Sequence, residues 1–172
     1  RKGEMSMLKF LNKKKNDNKG FSLVELIIVV AIMAILVGLL APQYLKYVEK
    51  SRKSADASNL DEMVRAIQIY AADAEVTLPA DTYTITIKAT GTSVKAVKNN
   101  NTAKAKTALN ENAPDWAKTK LKSNKWDNGE TIETQKGNAT SVSAEITVAQ
   151  DGGTTVKYTP ASLADYINKT AK

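Results

Sequence analysis

Residues 21–41 form an apolar run of 21 residues whose single charge is Glu25, and a lysine-rich leader ending at Gly20 stands directly before it. As a helix rising 1.5 Å per residue, such a run spans about 30 Å, the hydrocarbon thickness of a bilayer. Its Leu, Ile, Val, Ala and Met leave no polar stripe, so it cannot be a surface helix of a soluble domain. A carboxylate inside such a helix is costly and marks a functional position.

Charge is distributed unevenly. The net charge of the chain is +7, a value that by itself suggests anionic partners. Residues 1–20 hold seven Lys or Arg against Glu4 and Asp17, whereas the other 152 residues carry 18 basic and 16 acidic groups. The basicity is therefore mostly a leader property. It places residues 1–20 in the cytoplasm and the C-terminus outside. Met5 or Met7 is expected to be the translational start. With no cysteine and no histidine, disulfides, His or Cys metal sites, a Cys nucleophile and a Ser-His-Asp triad are all excluded. No catalytic, cofactor-binding or metal-ligating constellation stands out.

Pro42 follows the apolar run, and its ring meets the carbonyl of residue 38, which is Gly38. A bend or weak point is expected here, and a plain helix stop at the membrane edge fits the two residues equally well. Beyond Tyr44 the pattern turns amphipathic. Leu60, Met63, Val64, Ile67, Ala71 and Ala74 sit at offsets 0, 3, 4, 7, 11 and 14, one face of a helix. A continuous helix from about Ser22 to Ala74 is expected. Its second half would pack on a domain.

Thr77-Leu78-Pro79 ends that helix. Strands are expected at 83–87, where β-branched residues alternate, and at 93–98, 131–135, 141–149 and 154–159. Asp151-Gly152-Gly153 reads as a hairpin turn between the last two strands, and Asp127-Asn128-Gly129 as another turn. Residues 103–122 read as helical and interrupted at Pro114, with Asp115 capping a short helix that carries Trp116 and Leu121. Residues 162–169 read as a terminal helix capped by Ser162, with Asp165 at its third helical position. The fold class is α+β, with the amphipathic half-helix covering an antiparallel sheet of three to five strands.

The junction has a chemistry of its own. Gly20 offers a protease an unobstructed, extensible backbone. A cut between Gly20 and Phe21 creates an ammonium on Phe21, one helical turn from Glu25. In hydrocarbon each charge is costly unless it meets the other. Glu25 can pair with its own chain's amine or with that of an axially shifted neighbour; the spacing fits both.

Lys19-Gly20-Phe21-Ser22-Leu23-Val24-Glu25 followed by an apolar helix resembles the leader and cleavage motif of type IV pilins, closely over residues 13 to about 75 and in general layout beyond. The resemblance implies a pilin-like fold: long N-terminal helix, variable αβ-loop, antiparallel sheet and short C-terminal helix. It also implies removal of residues 1–20 as a leader, a transmembrane and filament-core half-helix at 21–42, an amphipathic half at 43–76 and a globular head at 77–172. A membrane-embedded prepilin peptidase would cut after Gly20 and methylate Phe21. Phe21 and Glu25 would serve assembly, and Gly38 and Pro42 the helix bend. The implied partners are further copies in a helical filament, an assembly platform with its ATPase, and the cytoplasmic membrane before assembly. The implied end state is an extracellular pilus for adhesion, motility or biofilm formation. Many relatives staple the C-terminal region with a disulfide. Its absence here implies extra packing or hydrogen bonding there, and suits a single-membrane bacterium.

Two alternatives share parts of this pattern. A pseudopilin of a type II secretion system, or a minor or competence pilin, has the same junction. A signal-anchored external domain has the same apolar run. The lysines between 104 and 125 read as a solvated face. Nucleic acid is not an expected partner, because base stacking needs interleaved aromatics and only Trp116 and Trp126 are near. Asp151-Gly152-Gly153 reads as a turn in preference to a cation site.

Overall fold

The computed structural model describes residues 20–73, 78–98, 101–127 and 138–169. The chain divides into two compact units, residues 1–45 and 46–172. Helix α1, Leu23–Ala72, runs through the division and contains Pro42. Pro42 therefore does not stop the helix. Proline removes one hydrogen bond to the carbonyl four residues back, and Gly38 keeps open space on its side of that turn.

In the first unit, residues 20–45 are exposed throughout. The second unit has a true core. There α1 buries Ala57, Leu60, Met63, Val64, Ala66 and Ile67, the helical stripe read from the sequence, with Ala71 half-buried. Ala74 and Thr77 lie outside the described residues. The apolar stripe packs with a four-stranded antiparallel sheet formed by β1 (Asp81–Lys88), β2 (Gly91–Ala96), β5 (Ser141–Val148) and β6 (Thr154–Thr159) in the order β2-β1-β5-β6. A two-residue pairing of β3 (Trp126–Asp127) with β4 (Asn138–Ala139) stands apart. The strand expected at 131–135 and the Asn128-Gly129 turn fall outside the described residues.

Alternation explains the sheet. Tyr83, Ile85 and Ile87 of β1 are fully buried and sit opposite Ile146, Ala144 and Val142 of β5. Thr82, Thr84 and Thr86 point to the other face. A one-residue slip would exchange these two sets, so burial of one face fixes the register. Each fully buried Ile or Leu contributes about 1.5–3 kcal/mol relative to exposure. The expected hairpin after β5 is present: Ala149 N–H donates to Gly153 O at 2.8 Å. Gly152 takes φ +80 there, and an added Cβ would meet Ala71 O at 3.1 Å, so glycine is required.

The segment between the sheet halves corrects the sequence reading. Helix α2 covers Thr102–Asn112, and a short 3₁₀ turn covers Trp116–Lys118. The helix expected to reach residue 122 ends before Pro114, and residues 119–125 form a strap without regular secondary structure. Leu121 lies on that strap, not on a helix, and packs on the core. Asp115 occupies the cap position of the turn without a side-chain cap bond; its carboxylate takes Lys118 Nζ at 3.3 Å instead. Asp56 of α1 takes up amides that a helix here would use internally. Lys122 N–H and Ser123 N–H donate to Asp56 Oδ1 and Oδ2 at 2.8 and 2.9 Å.

Helix α3, Ser162–Ile167, also starts differently. Ala161 is its cap residue and Ser162 its first helical residue, with no side-chain cap bond. The turn is already closed by Leu163 N–H to Pro160 O at 3.0 Å and Ala164 N–H to Ala161 O at 3.1 Å. In place of a disulfide, α3 is held by packing. Leu163 is fully buried, and Tyr166 meets Trp126 edge-on at 5.3 Å between ring centroids.

Candidate processing and assembly site

Gly20 and Phe21 precede α1, and Phe21 is 85% exposed. Among the described residues, nothing lies within 4 Å of a Cβ placed on Gly20. The peptide between them is therefore non-helical and open, as an extended protease substrate must be. A larger side chain at Gly20 would meet none of the described residues.

The helix begins immediately afterwards, for a reason the sequence carries. Ser22 N–H donates to Glu25 Oε2 at 2.8 Å, and Val24 N–H donates to Ser22 Oγ at 3.3 Å. Leu26 N–H donates to Ser22 O at 3.2 Å. Ser22-Leu23-Val24-Glu25 is thus a variant of the capping box: the Glu25 carboxylate takes the Ser22 amide, and the Ser22 hydroxyl takes the amide of Val24 in place of that of Glu25. The S-x-x-E spacing at the edge of an apolar run was the available signal. Glu25 also lies in the first helical turn, where a carboxylate meets the positive end of the helix dipole. The cap uses Oε2; a carboxylate has acceptor capacity on both oxygens.

The structure therefore brings Ser22 and Glu25 together and leaves Gly20 and Phe21 open beside them. Downstream, Gly38 and Pro42 lie within the exposed apolar stretch of α1. The helix is long and apolar enough to cross a membrane: its most apolar eighteen residues have a mean hydropathy of 3.1 and none is buried. Elsewhere, Asp151 Oδ1 accepts Gly153 N–H at 2.9 Å within the hairpin. Among the described residues, no group of three or more carboxylates is placed to hold a metal ion.

Two buried groups of the second unit have shifted ionisation. Asp81 is pushed up by burial, but donation from Asn101 Nδ2, Thr82 N–H and Lys98 N–H outweighs this and lowers its pKa below the ordinary carboxylate value. Tyr83 is pushed up to about 12 by burial and by the nearby Asp81 charge. Its hydroxyl donates to Pro79 O at 2.7 Å.

A long helix whose second half covers an antiparallel sheet, with a short C-terminal helix, is an α+β fold consistent with that of type IV pilins. Residues 15–41 match the family described as the prokaryotic N-terminal methylation motif. The chain is similar to type IV major fimbrial proteins FimA of Dichelobacter nodosus: 44% identical over 54 residues, covering 31% of this chain and 35% of the relative. The match thus spans about a third of the length of these curated relatives. No solved structure matches the chain.

Proposed function

We propose that this chain is the precursor of a structural subunit of a type IV pilus. A prepilin peptidase cuts after Gly20 and methylates the new Phe21 amine. The first unit's apolar helix holds the subunit in the cytoplasmic membrane and then forms the filament core. The second unit is displayed on the extracellular filament. The assembly platform and its ATPase drive the transfer.

The observation that carries this reading is the open Gly20-Phe21 peptide set one turn before a capped carboxylate, at the start of a bare apolar helix. After cleavage the Phe21 ammonium and Glu25 are the only charges between residues 21 and 41. Their pairing between axially shifted copies sets the stagger, because neither ion is stable alone in hydrocarbon. Outside the membrane the apolar halves have only each other to pack on. Roughly 20 such residues, at about 1.5–3 kcal/mol each when fully buried, exceed the cost of ordering a subunit. A filament subunit of this kind is structural and performs no catalysis.

The test is recovery of surface filaments by shearing. An abundant band containing residues 21–172 supports a major subunit. A trace component would favour a minor pilin, and absence from filaments would favour a pseudopilin or an anchored domain.

A further inference from the structure

Residues 88–125 carry nine lysines and no arginine, against only Glu111 and Asp115. This short stretch holds a net charge equal to that of the whole chain, while the rest of residues 21–172 is net acidic. The fold concentrates part of that charge on the strap. Exposure alternates along it: Lys118, Lys120 and Lys122 are exposed, Thr119 and Leu121 are half-buried, and Ser123 is buried. Lys118 closes the 3₁₀ turn, and Lys120 and Lys122 follow it on the strap. The three lysines form one exposed row along the chain.

The row is built on a fixed backbone. Thr92 Oγ1 donates to Thr119 O at 2.7 Å, and Leu121 N–H donates to Lys88 O at 3.0 Å, which sets Lys88 beside the row. Asp56 fastens Lys122 and Ser123 from beneath, and the Ser123 hydroxyl donates to Glu49 Oε1. Those carboxylates are turned onto the strap's amides and hydroxyl. Lys118 also pairs with Asp115, but both side chains are more than four-fifths exposed and the pair is screened by water.

We propose that this strap docks a flexible, linear phosphodiester polymer lacking bases, of the poly(glycerol phosphate) kind. The chemistry selects this class. Lysine acts on phosphate as a point charge, whereas the planar fork that reads base edges or carboxylates in two contacts needs arginine, which is missing. Trp116 and Trp126 are 8% and 0% exposed, so neither offers a platform on which bases could stack. A single row on an open surface suits a thread that follows it. Duplex DNA, a stiff rod, suits a broad concave basic surface. This proposal does not depend on the filament reading.

The test uses the full chain in an uncharged detergent, titrated with labelled poly(glycerol phosphate) at increasing salt. Log affinity should fall with log salt by about 0.7 per lysine engaged, as for single-stranded phosphodiesters. The combined change Lys118→Gln, Lys120→Gln and Lys122→Gln should flatten the slope by about two, with thermal unfolding unchanged. Lys120→Gln alone should flatten it by about a third as much, which keeps the test valid should the triple variant unfold. Lys157→Gln on β6 should change nothing. Absence of binding at low salt, a triple variant that binds like the native chain, or tighter binding of duplex DNA than of the flexible polymer would each overturn the proposal.

Discussion

The indole Nε1 of Trp126 donates to Asp56 Oδ2 at 3.1 Å, and neither residue has any exposed surface. Lys53 Nζ lies over the same indole ring, 5.2 Å from its centroid, and Tyr166 meets it edge-on. One α1 carboxylate thus joins three parts of the second unit: the helix, the strap and, through Trp126, the C-terminal helix.

Asp56→Ala should therefore cost more than an ordinary core change. It strands two amides and an indole N–H, each of which had a charged acceptor. A loss of about 3 kcal/mol or more is expected. Trp126→Phe keeps the ring and removes one donor, for a loss of about 1 kcal/mol beyond the volume change. Denaturant unfolding of the full chain checks both. Equal stability of Asp56→Ala and the native chain would remove the pin from the account.

The cap makes a separate prediction. Ser22→Ala should weaken the start of α1 by about 1 kcal/mol. Amide exchange at residues 23–26 should speed up, while exchange in the sheet stays as it was. Unchanged exchange at those amides would mean the capping box does not hold the helix end.

Glu25→Ala should leave cleavage after Gly20 intact and block incorporation into filaments beside native subunits. The remaining amine then has no ion to meet in the hydrocarbon. Filament yield equal to that of the native chain would remove Glu25 from assembly.

Gly20→Glu should stop processing. Among the described residues none lies near a Cβ on Gly20, so the substitution should leave the folded second unit undisturbed and act on the protease's access. A mature-sized band from this variant would place the cut elsewhere.

Ionisation of Asp81 and Tyr83 gives opposite pH limits. The Asp81 pKa lies below its model-compound value of 3.8, so its stabilising contribution is present above that pH and is lost as pH falls further. The Tyr83 pKa is raised from 10.0 to about 12, so its contribution is complete below pH 10 and is lost between about 10 and 12. Burial also raises Tyr158 and Tyr166, so tyrosinate absorbance should show several delayed steps, and Tyr83→Phe should remove the last of them. A Tyr83 that titrates with the exposed tyrosines would contradict its burial.

Much of this was legible in the chain. The 21-residue apolar run, the stripe from Leu60 to Ile67 and the alternation around Ile85 and Ile87 are periodic signals that burial enforces. The 119–125 strap was not legible. Its Ala- and Lys-rich lead-in favours helix locally, and its non-helical form is held by Asp56, more than sixty residues earlier. The same distance hid the role of Asp56, which reads in sequence as one more polar residue off the apolar stripe. At the junction, Gly20, Phe21 and Glu25 were visible as an ionic pattern. Ser22 was overlooked although its capping partner stands three residues away.

The most direct measurement is the mass of the N-terminal peptide from filaments sheared off cells. The account predicts a peptide beginning at Phe21 with a methylated amine and nothing of residues 1–20. Filaments whose subunits still carry residues ahead of Phe21 would contradict it.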